Sequence, residues 1–392
     1  MRVPGNFHRV FVFDPDLSAA VGPRVRKSPV FDCTVRAGLS AVSTYNHMWL
    51  PMSYGDLDAE YERLTTRVSM WDVCAQRHVS VEGADADRLT QLVTAVDVSD
   101  TPPGQAIYAP MVDGDGTLIN DPVLLHWLDR TWRFSIADAD VGLWLAGVAH
   151  GREFDITVRE LDTVTIAIQG PNAHDVTAAL GLEWTAGLDR FRLRRATIAA
   201  PDRGRIDVVV SRSGWSSQDG VEIFCDQADV AESLWQAIAA AGEPFGIGPG
   251  APNATERIEN TFLSYGTDTG YDANPLELGM ADTIDLDGPD FIGRDALRRI
   301  SADGPGRQLI GCVIAGDDID TLPHPVPLSI DSTDVGRLRA GTHSPRFRRN
   351  IGLALIDARC SPGDIGIVVL PAGHGERSVR LVDLPFDRSL SG

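Results

Sequence analysis

Three side chains in the second half of the chain combine residue types that suit the binding of a polar or cationic molecule. A carboxylate such as Glu222 can accept two N–H donors at once, and the guanidinium of Arg257 can pair with a carboxylate or a carbonyl. The face of Trp215 can attract a cation. Each also has an ordinary interpretation: a solvent-facing strand carboxylate, a surface arginine, or a tryptophan that fills space or stacks on another ring.

A second group of candidates lies nearer the N-terminus. His47 and Tyr45 could donate a proton to a leaving phenolate, and Asp121 is an acidic group in an Asn-Asp-Pro run. That run is also a common turn. Tyr108 is equally consistent with a strand aromatic in the core, and His47 with a histidine that holds a turn.

Generic motifs do not identify the chemistry. The sequence contains neither a GxGxxG nor a GxxxxGK[ST] motif, which argues against dinucleotide and P-loop sites. Ser213-Gly214-Trp215-Ser216 lacks the flanking glycine of a nucleophile elbow. The nine histidines show no metal-binding spacing, and the five cysteines are dispersed without a CxxC pair. We therefore expect no metal site and no disulfide framework.

Composition excludes further classes of partner. The 392 residues include 35 Lys plus Arg and 55 Asp plus Glu, a formal net charge of −20. Such a surface repels nucleic acid and anionic lipid, so we expect neither as a partner. The N-terminal stretch carries Asp14 and Asp16 and lacks the apolar core of a signal peptide, and no segment is apolar over the length of a bilayer. We expect a cytoplasmic protein.

The elements that must position these side chains are strands mixed with helices, without a sustained βαβ rhythm, which favours an α+β fold. The segments next to the candidate residues are predicted as follows: a helix over 56–68, a half-buried strand over 78–83, a strand, turn and strand over 108–127, paired strands over 206–211 and 220–225, and a helix over 257–264. Strands separated by turns dominate after the Gly/Pro-rich residues 302–306. We predict an N-terminal extension (1–28), an α+β region of two intertwined lobes (29–302) and an all-β C-terminal domain (307–386).

Seven stretches in order carry a family resemblance: Tyr45-Asn46-His47-Met48-Trp49-Leu50-Pro51, Trp71-Asp72-Val73 with 79–83, Ser211-Arg212-Ser213-Gly214-Trp215-Ser216 with 220–223, Glu256-Arg257-Ile258-Glu259 with 263–268, Asn274-Pro275-Leu276-Glu277-Leu278-Gly279, Phe291-Ile292-Gly293, and Ser344-Pro345 with 350–354. Together they resemble the aminomethyltransferase (glycine-cleavage T-protein) superfamily over roughly residues 26–385. The YNHM…P and SGWS stretches are most similar to its dimethylsulfoniopropionate demethylase branch.

The resemblance implies a three-lobed, ring-like fold that binds tetrahydrofolate in a central channel, with a barrel-like C-terminal domain. It implies that Glu222 binds the pterin and that Arg257, Tyr108 and Trp215 line the folate site. Asp121 matches the family's catalytic-site aspartate. His47 and Tyr45 match positions associated with ether chemistry in related O-demethylases.

The implied function is a tetrahydrofolate-dependent demethylase that moves a methyl group from a small onium donor, such as dimethylsulfoniopropionate, to give 5-methyltetrahydrofolate. The alternative is the same reaction on a methoxylated aromatic or another O-methyl or N-methyl metabolite. Glycine-cleavage aminomethyl transfer is disfavoured because residues 45–51 depart from its pattern. A non-catalytic folate-binding module is disfavoured because its cysteine motif is missing. The expected assembly is a monomer or homodimer, and the identity of the donor stays open.

Overall fold

The computed structural model describes residues 24–390, except for the side chain of Arg388. Most of the predicted N-terminal extension, residues 1–23, therefore lies outside the described residues. The described part contains nine α-helices: α1 (Phe31–Arg36), α2 (Leu57–Thr66), α3 (Ala86–Val93), α4 (Val141–Gly151), α5 (Ala173–Ala179), α6 (Ala231–Gly242), α7 (Ala254–Glu259), α8 (Arg294–Asp303) and α9 (Phe386–Leu390).

The same residues form 21 strands. The first fifteen are β1 (Ala41–Tyr45), β2 (Met48–Ser53), β3 (Val68–Asp72), β4 (His78–Gly83), β5 (Gln105–Tyr108), β6 (Met111–Val112), β7 (Leu118–Asn120), β8 (Val123–Leu128), β9 (Thr131–Ser135), β10 (Ile156–Leu161), β11 (Val164–Gln169), β12 (Leu193–Ala200), β13 (Gly204–Ser211), β14 (Gly220–Cys225) and β15 (Ile247–Gly250). The last six are β16 (Arg307–Ile314), β17 (Val326–Ile330), β18 (Thr333–Ser344), β19 (Arg349–Asp357), β20 (Ile365–Leu370) and β21 (Gly375–Val382).

The strands form three main sheets. One has six strands in the order β12-β13-β14-β11-β3-β15, and a second has five in the order β10-β4-β9-β8-β5. Because β3 precedes the five-stranded sheet in the chain and pairs with β11 beyond it, the chain enters the six-stranded sheet, leaves it and returns. The last six strands close into a barrel in the order β16-β19-β18-β17-β20-β21. The predicted α+β class with an all-β C-terminal barrel is confirmed.

Each sheet buries its own apolar core. Strand β11 is buried along its whole length and packs with helices α5 and α6 in the largest cluster, which includes Ile166, Val176 and Leu234. Burial of such side chains contributes about 1.5–3 kcal/mol each. A smaller cluster around Leu278 and Leu355 joins the five-stranded lobe to the barrel. The site described below lies against this junction.

Three sequence-based expectations were wrong in detail, and the first two corrections concern the site. The strand predicted over 108–112 is interrupted at Pro110, and the one over 118–127 is interrupted at Asp121-Pro122, because proline has no N–H for a ladder hydrogen bond. The helix predicted over 257–264 is Ala254–Glu259 instead. It begins at Asn253, whose side chain accepts from the Glu256 N–H, and Thr261 then takes a left-handed φ of +60°.

Strand β4 was expected to be half-buried, yet its first four residues are buried on both faces. The reason is that His78 contacts Phe224 of the six-stranded sheet, with ring centroids 4.9 Å apart. No helix within residues 24–390 is long and apolar enough to cross a membrane. The same residues contain no group of three or more His, Cys, Asp or Glu side chains placed to hold a metal ion.

Candidate active site

Asp121 lies at the interruption between β7 and β8, where the following Pro122 ends the ladder. Its Oδ2 accepts a hydrogen bond from the hydroxyl of Tyr108, at 2.8 Å. Tyr108 is the last residue of β5, which pairs with β8 so that Tyr108 is opposite Val123. The antiparallel register therefore brings together a tyrosine and a carboxylate that are 13 residues apart in the chain.

The carboxyl group of Asp121 has an unusual proton affinity. Burial raises its pKa to about 7, the negative charge of Asp268 adds to that rise, and the Tyr108 hydrogen bond opposes it. A carboxyl group with a pKa near neutrality can both give and take a proton under ordinary conditions. Asp121 therefore has the properties of a general acid or base.

Tyr45 belongs to the same group of side chains. Burial raises the pKa of its hydroxyl, and the nearby charges of Asp121 and Asp138 raise it further. Tyr265 is similar: burial raises its pKa to about 12, with Asp121 the next largest cause. Tyr45, Tyr108 and Tyr265 thus all lie within electrostatic reach of Asp121, and Tyr45 and Tyr265 also lie within reach of Asp138. Aromatic side chains and negative charge in one neighbourhood favour a cation.

Asn46 fixes Tyr45 in this place. It is buried, its N–H donates to Asp138 at 2.7 Å, and its amide nitrogen donates to the carbonyls of Ala75 and Ile136 at 2.9 and 3.2 Å. The Ala139 N–H donates to its side-chain oxygen at 3.1 Å. These bonds tie the β1–β2 hairpin to the segment between β9 and α4.

His47 is placed differently from the other predicted residues. It shares the two-residue turn between Tyr45 and Met48 with Asn46, and both turn residues have positive φ, +51° and +58°. Its side chain is 62% exposed and lies 3.4 Å from Asp140. The structure therefore does not bring His47 to Asp121, and its position fits the alternative role of holding a turn.

Glu222 lies on β14, and its carboxylate is buried. Its neighbour across the sheet is Ser211 of β13, and Ser213 donates a hydrogen bond to its Oε2. Burial raises the pKa of Glu222. Among the described residues no other donor and no cation reaches this carboxylate, so it is a buried acceptor with capacity for an external partner.

The turn between β13 and β14, residues 212–219, is built around Gln169. This side chain accepts from the Ser216 hydroxyl at 2.8 Å and donates to the Ser213 carbonyl at 3.2 Å. A Cβ on Gly214 would lie 2.2 Å from the Gln169 side-chain oxygen, and one on Gly220 would lie 2.3 Å from the Ile168 carbonyl. Only glycine fits at Gly220, where the obstacle is backbone, and a side chain at Gly214 would displace Gln169 from its bonds to the turn that carries Trp215.

Arg257, on α7, connects the two groups of candidate residues. It is 6% exposed, pairs with the fully buried Asp268, and donates to the Phe262 carbonyl at 3.2 Å. Its guanidinium carbon lies 5.9 Å from the centre of the Trp215 ring. The charge of Asp268 also raises the pKa of Asp121, so the Arg257–Asp268 pair lies within electrostatic reach of that carboxyl group.

These residues fit a ligand with an edge of N–H donors. Glu222 is one buried acceptor, and Oδ1 of Asp268 is a second, buried without a hydrogen-bond partner in the described part of the chain. A buried, unpartnered carboxylate oxygen is costly unless a ligand supplies a donor. Among the predicted residues, Tyr108 contacts Asp121 and Arg257 lies over Trp215, whereas the exposed His47 lies beside Asp140. That these residues serve one ligand stays a prediction.

Sequence reasoning missed four residues that organise the site: Asn46, Ser213, Asp268 and Glu256. All four are buried, with exposures of 1%, 9%, 0% and 1%. Each stands inside a stretch that carried the family resemblance, which was the available signal. Their polar side chains gave no indication of burial, since such residues are usually exposed.

Comparison with known proteins assigns both halves of the chain. A family model described as the GCVT N-terminal domain matches residues 30–288, and one described as the glycine cleavage T-protein C-terminal barrel domain matches residues 307–387.

Similar proteins cover nearly the whole chain. The dimethylsulfoniopropionate demethylase DmdA of Ruegeria pomeroyi is 34% identical over 91% of this chain and 96% of its own. An aminomethyltransferase of Bacillus pumilus is 29% identical over 92% of this chain and 98% of its own. The crystal structure of the glycine cleavage system aminomethyltransferase T from Bartonella henselae superposes with a TM-score of 0.80, at 20% identity, over 92% of this chain and 98% of that one. The last likeness shows a shared fold.

Proposed function

This chain belongs to the glycine cleavage T-protein family, and we propose that it is a demethylase that takes a methyl group from a small onium donor, such as dimethylsulfoniopropionate. It is a tetrahydrofolate-dependent enzyme of methyl transfer. Glu222, Arg257, Trp215 and Tyr108 line the folate site, and Asp121 and Tyr45 lie at the reacting group. The face of Trp215 also meets the methyl group of the donor. The folate-binding region spans residues 29–302 and the barrel domain residues 307–386.

Glu222 accepts hydrogen bonds from the N–H groups along one edge of the pterin. A carboxylate that is buried beside a single hydroxyl donor keeps free acceptor positions, and paired N–H donors match them in a bidentate way. Arg257 lies between Trp215 and Asp268. Its planar guanidinium pairs with a carbonyl or carboxylate of the ligand. When bound, tetrahydrofolate supplies the nitrogen whose lone pair forms the bond to the methyl carbon and which loses its proton.

The observation that carries the choice of donor is the environment of Asp121. Tyr108 donates to Asp121 there, and the charges of Asp121 and Asp138 act on Tyr45; aromatic side chains and negative charge together stabilise a sulfonium or quaternary ammonium group. A sulfonium also brings its own leaving group. It needs alignment and exclusion of water but no proton donor, which agrees with a histidine, His47, that points to solvent.

The transfer balances without another reactant. The carbon–sulfur bond breaks, its electron pair stays on sulfur, and a neutral thioether leaves. Ionised Asp121 accepts the proton released at the acceptor nitrogen, for which a pKa of about 7 is suitable. Tyr108 holds the Asp121 carboxylate in place through its hydroxyl.

O-demethylation of a methoxylated aromatic is the second candidate, and the same pKa favours it. About half of Asp121 is protonated at pH 7, and the protonated form can donate to a leaving ether oxygen. The two candidates predict opposite pH dependence. Onium turnover should rise with pH through neutrality, because it needs ionised Asp121, whereas ether turnover should fall.

The test is a pair of measurements on the full chain. Formation of 5-methyltetrahydrofolate is followed with dimethylsulfoniopropionate and with vanillate as donors between pH 5.5 and 9. Folate affinity is titrated for wild type, Glu222→Gln and the control Glu60→Gln, a buried glutamate bound to Ser53 and the Tyr54 N–H. Glu222→Gln should weaken folate binding about tenfold or more, and Glu60→Gln should not. Equal affinities would remove Glu222 from the folate site, and faster turnover of vanillate would reverse the order of the two candidates.

A further inference from the structure

Glu256 is a buried carboxylate that the proposed chemistry does not use. It is 1% exposed and lies in α7, directly before Arg257. Its Oε1 accepts from the N–H of Ser217 at 2.8 Å and from the Ser217 hydroxyl at 2.5 Å. Asn260 and Gln218 donate to the same oxygen at 3.2 and 3.4 Å. Among the described residues no arginine, lysine or histidine pairs with it, so all of its side-chain partners are neutral donors.

Ser217 belongs to the turn that presents Trp215. The sheet holds the near side of this turn, because Gln169 bonds the Ser216 hydroxyl at 2.8 Å and the Ser213 carbonyl at 3.2 Å. Glu256 holds the far side, across 39 residues of sequence. Trp215 lies between Ser213 and Ser216 and two residues before Ser217, so both attachments act close to it.

Helix α7 also sets the partner of Trp215. Arg257 follows Glu256 in the chain, and its guanidinium carbon lies 5.9 Å from the Trp215 ring centre. Two consecutive residues of α7 therefore act on Trp215: Glu256 holds the 212–219 turn, and Arg257 places its guanidinium over the indole. Charge-assisted hydrogen bonds to a buried carboxylate are about twice as strong as neutral ones, so this attachment is firm.

We infer that Glu256 is a positioning residue, which holds the 212–219 turn so that the Trp215 face, beside Arg257, is presented to the methyl donor. The part of this inference that concerns the donor rests on the proposed function. Without Glu256 the turn loses three hydrogen bonds, from the Ser217 N–H, the Ser217 hydroxyl and the Gln218 amide, and the Trp215 indole is held less firmly. The affinity for an onium donor then falls, while the groups that move the proton are untouched.

A matched control lies three residues further along α7. Glu259 is also buried, at 2% exposed, and its carboxylate accepts from Ser344 at 2.5 Å and Tyr61 at 2.8 Å. It ties the helix to the barrel and to α2, and none of its hydrogen bonds involves the 212–219 turn. Glu259→Ala removes the same group from the same helix and leaves Ser217 bonded.

The experiment is a double-mutant cycle between Glu256→Ala and Trp215→Ala, with KM for dimethylsulfoniopropionate as the first readout. Glu256→Ala should raise KM about tenfold, the size of a lost cation–π contact in a desolvated site, with kcat within about threefold. In the Trp215→Ala background the same change should add less than about twofold. Glu259→Ala should leave KM unchanged. Equal effects in both backgrounds, or an equal rise for Glu259→Ala, would overturn the inference.

Hydrogen–deuterium exchange of the full chain gives a readout that does not depend on turnover. The Ser217 amide should exchange at least about tenfold faster in Glu256→Ala and at the wild-type rate in Glu259→Ala. Glu256→Gln retains an acceptor oxygen and should restore slow exchange and a near-native KM. If Glu256→Ala does not fold, the milder Ser217→Ala takes its place, since Ser217 is exposed, and KM should rise about threefold. Unchanged exchange refutes the inference, whereas a wild type that demethylates no onium compound refutes the proposed function instead.

Discussion

Removal of the Tyr108 hydroxyl should change the pH dependence of the enzyme more than its maximal rate. This hydroxyl donates to Asp121 at 2.8 Å and lowers the pKa of a carboxyl group that burial has raised to about 7. Tyr108→Phe keeps the ring in its packing and removes the donor. Because a hydrogen bond to a charged group contributes about 1.5 kcal/mol or more, and one pKa unit corresponds to about 1.4 kcal/mol, the pKa should rise by about one unit.

The direction of the pKa shift follows from which form of Asp121 the hydrogen bond stabilises. The hydrogen bond stabilises the ionised carboxylate, so its loss favours the protonated acid and shifts the acid limb of the profile to higher pH. For an onium donor, kcat/KM of wild type should be half-maximal near pH 7. Because the pKa of Asp121 rises by about one unit in Tyr108→Phe, kcat/KM of this variant should be half-maximal near pH 8. Activity at pH 7 should fall about fivefold, while activity at pH 9 should be nearly equal.

The assay is initial-rate measurement of 5-methyltetrahydrofolate formation between pH 5.5 and 9.5. Tyr265→Phe is the control, because that hydroxyl donates to the Leu118 carbonyl at 3.3 Å and not to Asp121. It should leave the midpoint within a few tenths of a unit. An unchanged midpoint for Tyr108→Phe, or a shift to lower pH, would show that Asp121 is not the group that titrates.

Three further results are expected. Asp138→Asn should raise KM for an onium donor about fivefold at low salt and less at high salt. The control Asp140→Asn, at a carboxylate 3.6 Å from Arg77, should leave KM within about twofold of the wild-type value. Steady-state kinetics at two ionic strengths measure both, and equal effects would contradict a cationic donor. Asp121→Asn should abolish turnover yet raise the Tm at pH 8. A carboxyl group whose pKa is raised in the folded state destabilises the protein as pH rises from about 4 to about 7, so the gain in Tm should vanish near pH 4. A thermal scan that shows a lower Tm at pH 8 would be inconsistent with the raised pKa. The exposed His47, replaced by Asn to keep the left-handed turn, should leave kcat/KM within about twofold, and a loss of more than tenfold would return it to the catalytic group.

Local pattern predicted the elements next to Glu222 well. Alternation over 206–211 and 220–225 gave two paired strands because both form within one hairpin of the six-stranded sheet, where short-range register is enough. The same reasoning joined strands across Pro110 and Asp121-Pro122, where the missing proline N–H decides the outcome. It also extended α7 past Glu259, since helix composition does not reveal the left-handed Thr261.

The sequence pattern did not predict contacts between segments that are distant in the chain. The bond from Asn46 to Asp138 spans 92 residues, and nothing in either run indicates the other. Burial of Asp268 and Glu256 was equally hidden, because buried acidic residues are rare and their stabilising partners come from other elements. The family resemblance identified the position of Asp121, while its raised pKa follows from the packing.

Transfer of a labelled methyl group tests the central claim most directly. Dimethylsulfoniopropionate that carries ¹³C in its S-methyl groups is mixed with excess enzyme and tetrahydrofolate, and a single turnover is followed by NMR. One labelled methyl should appear on the folate nitrogen for each labelled thioether released, with no transfer when tetrahydrofolate is left out. Label that stays on the sulfonium, or that leaves as methanol, would contradict the account.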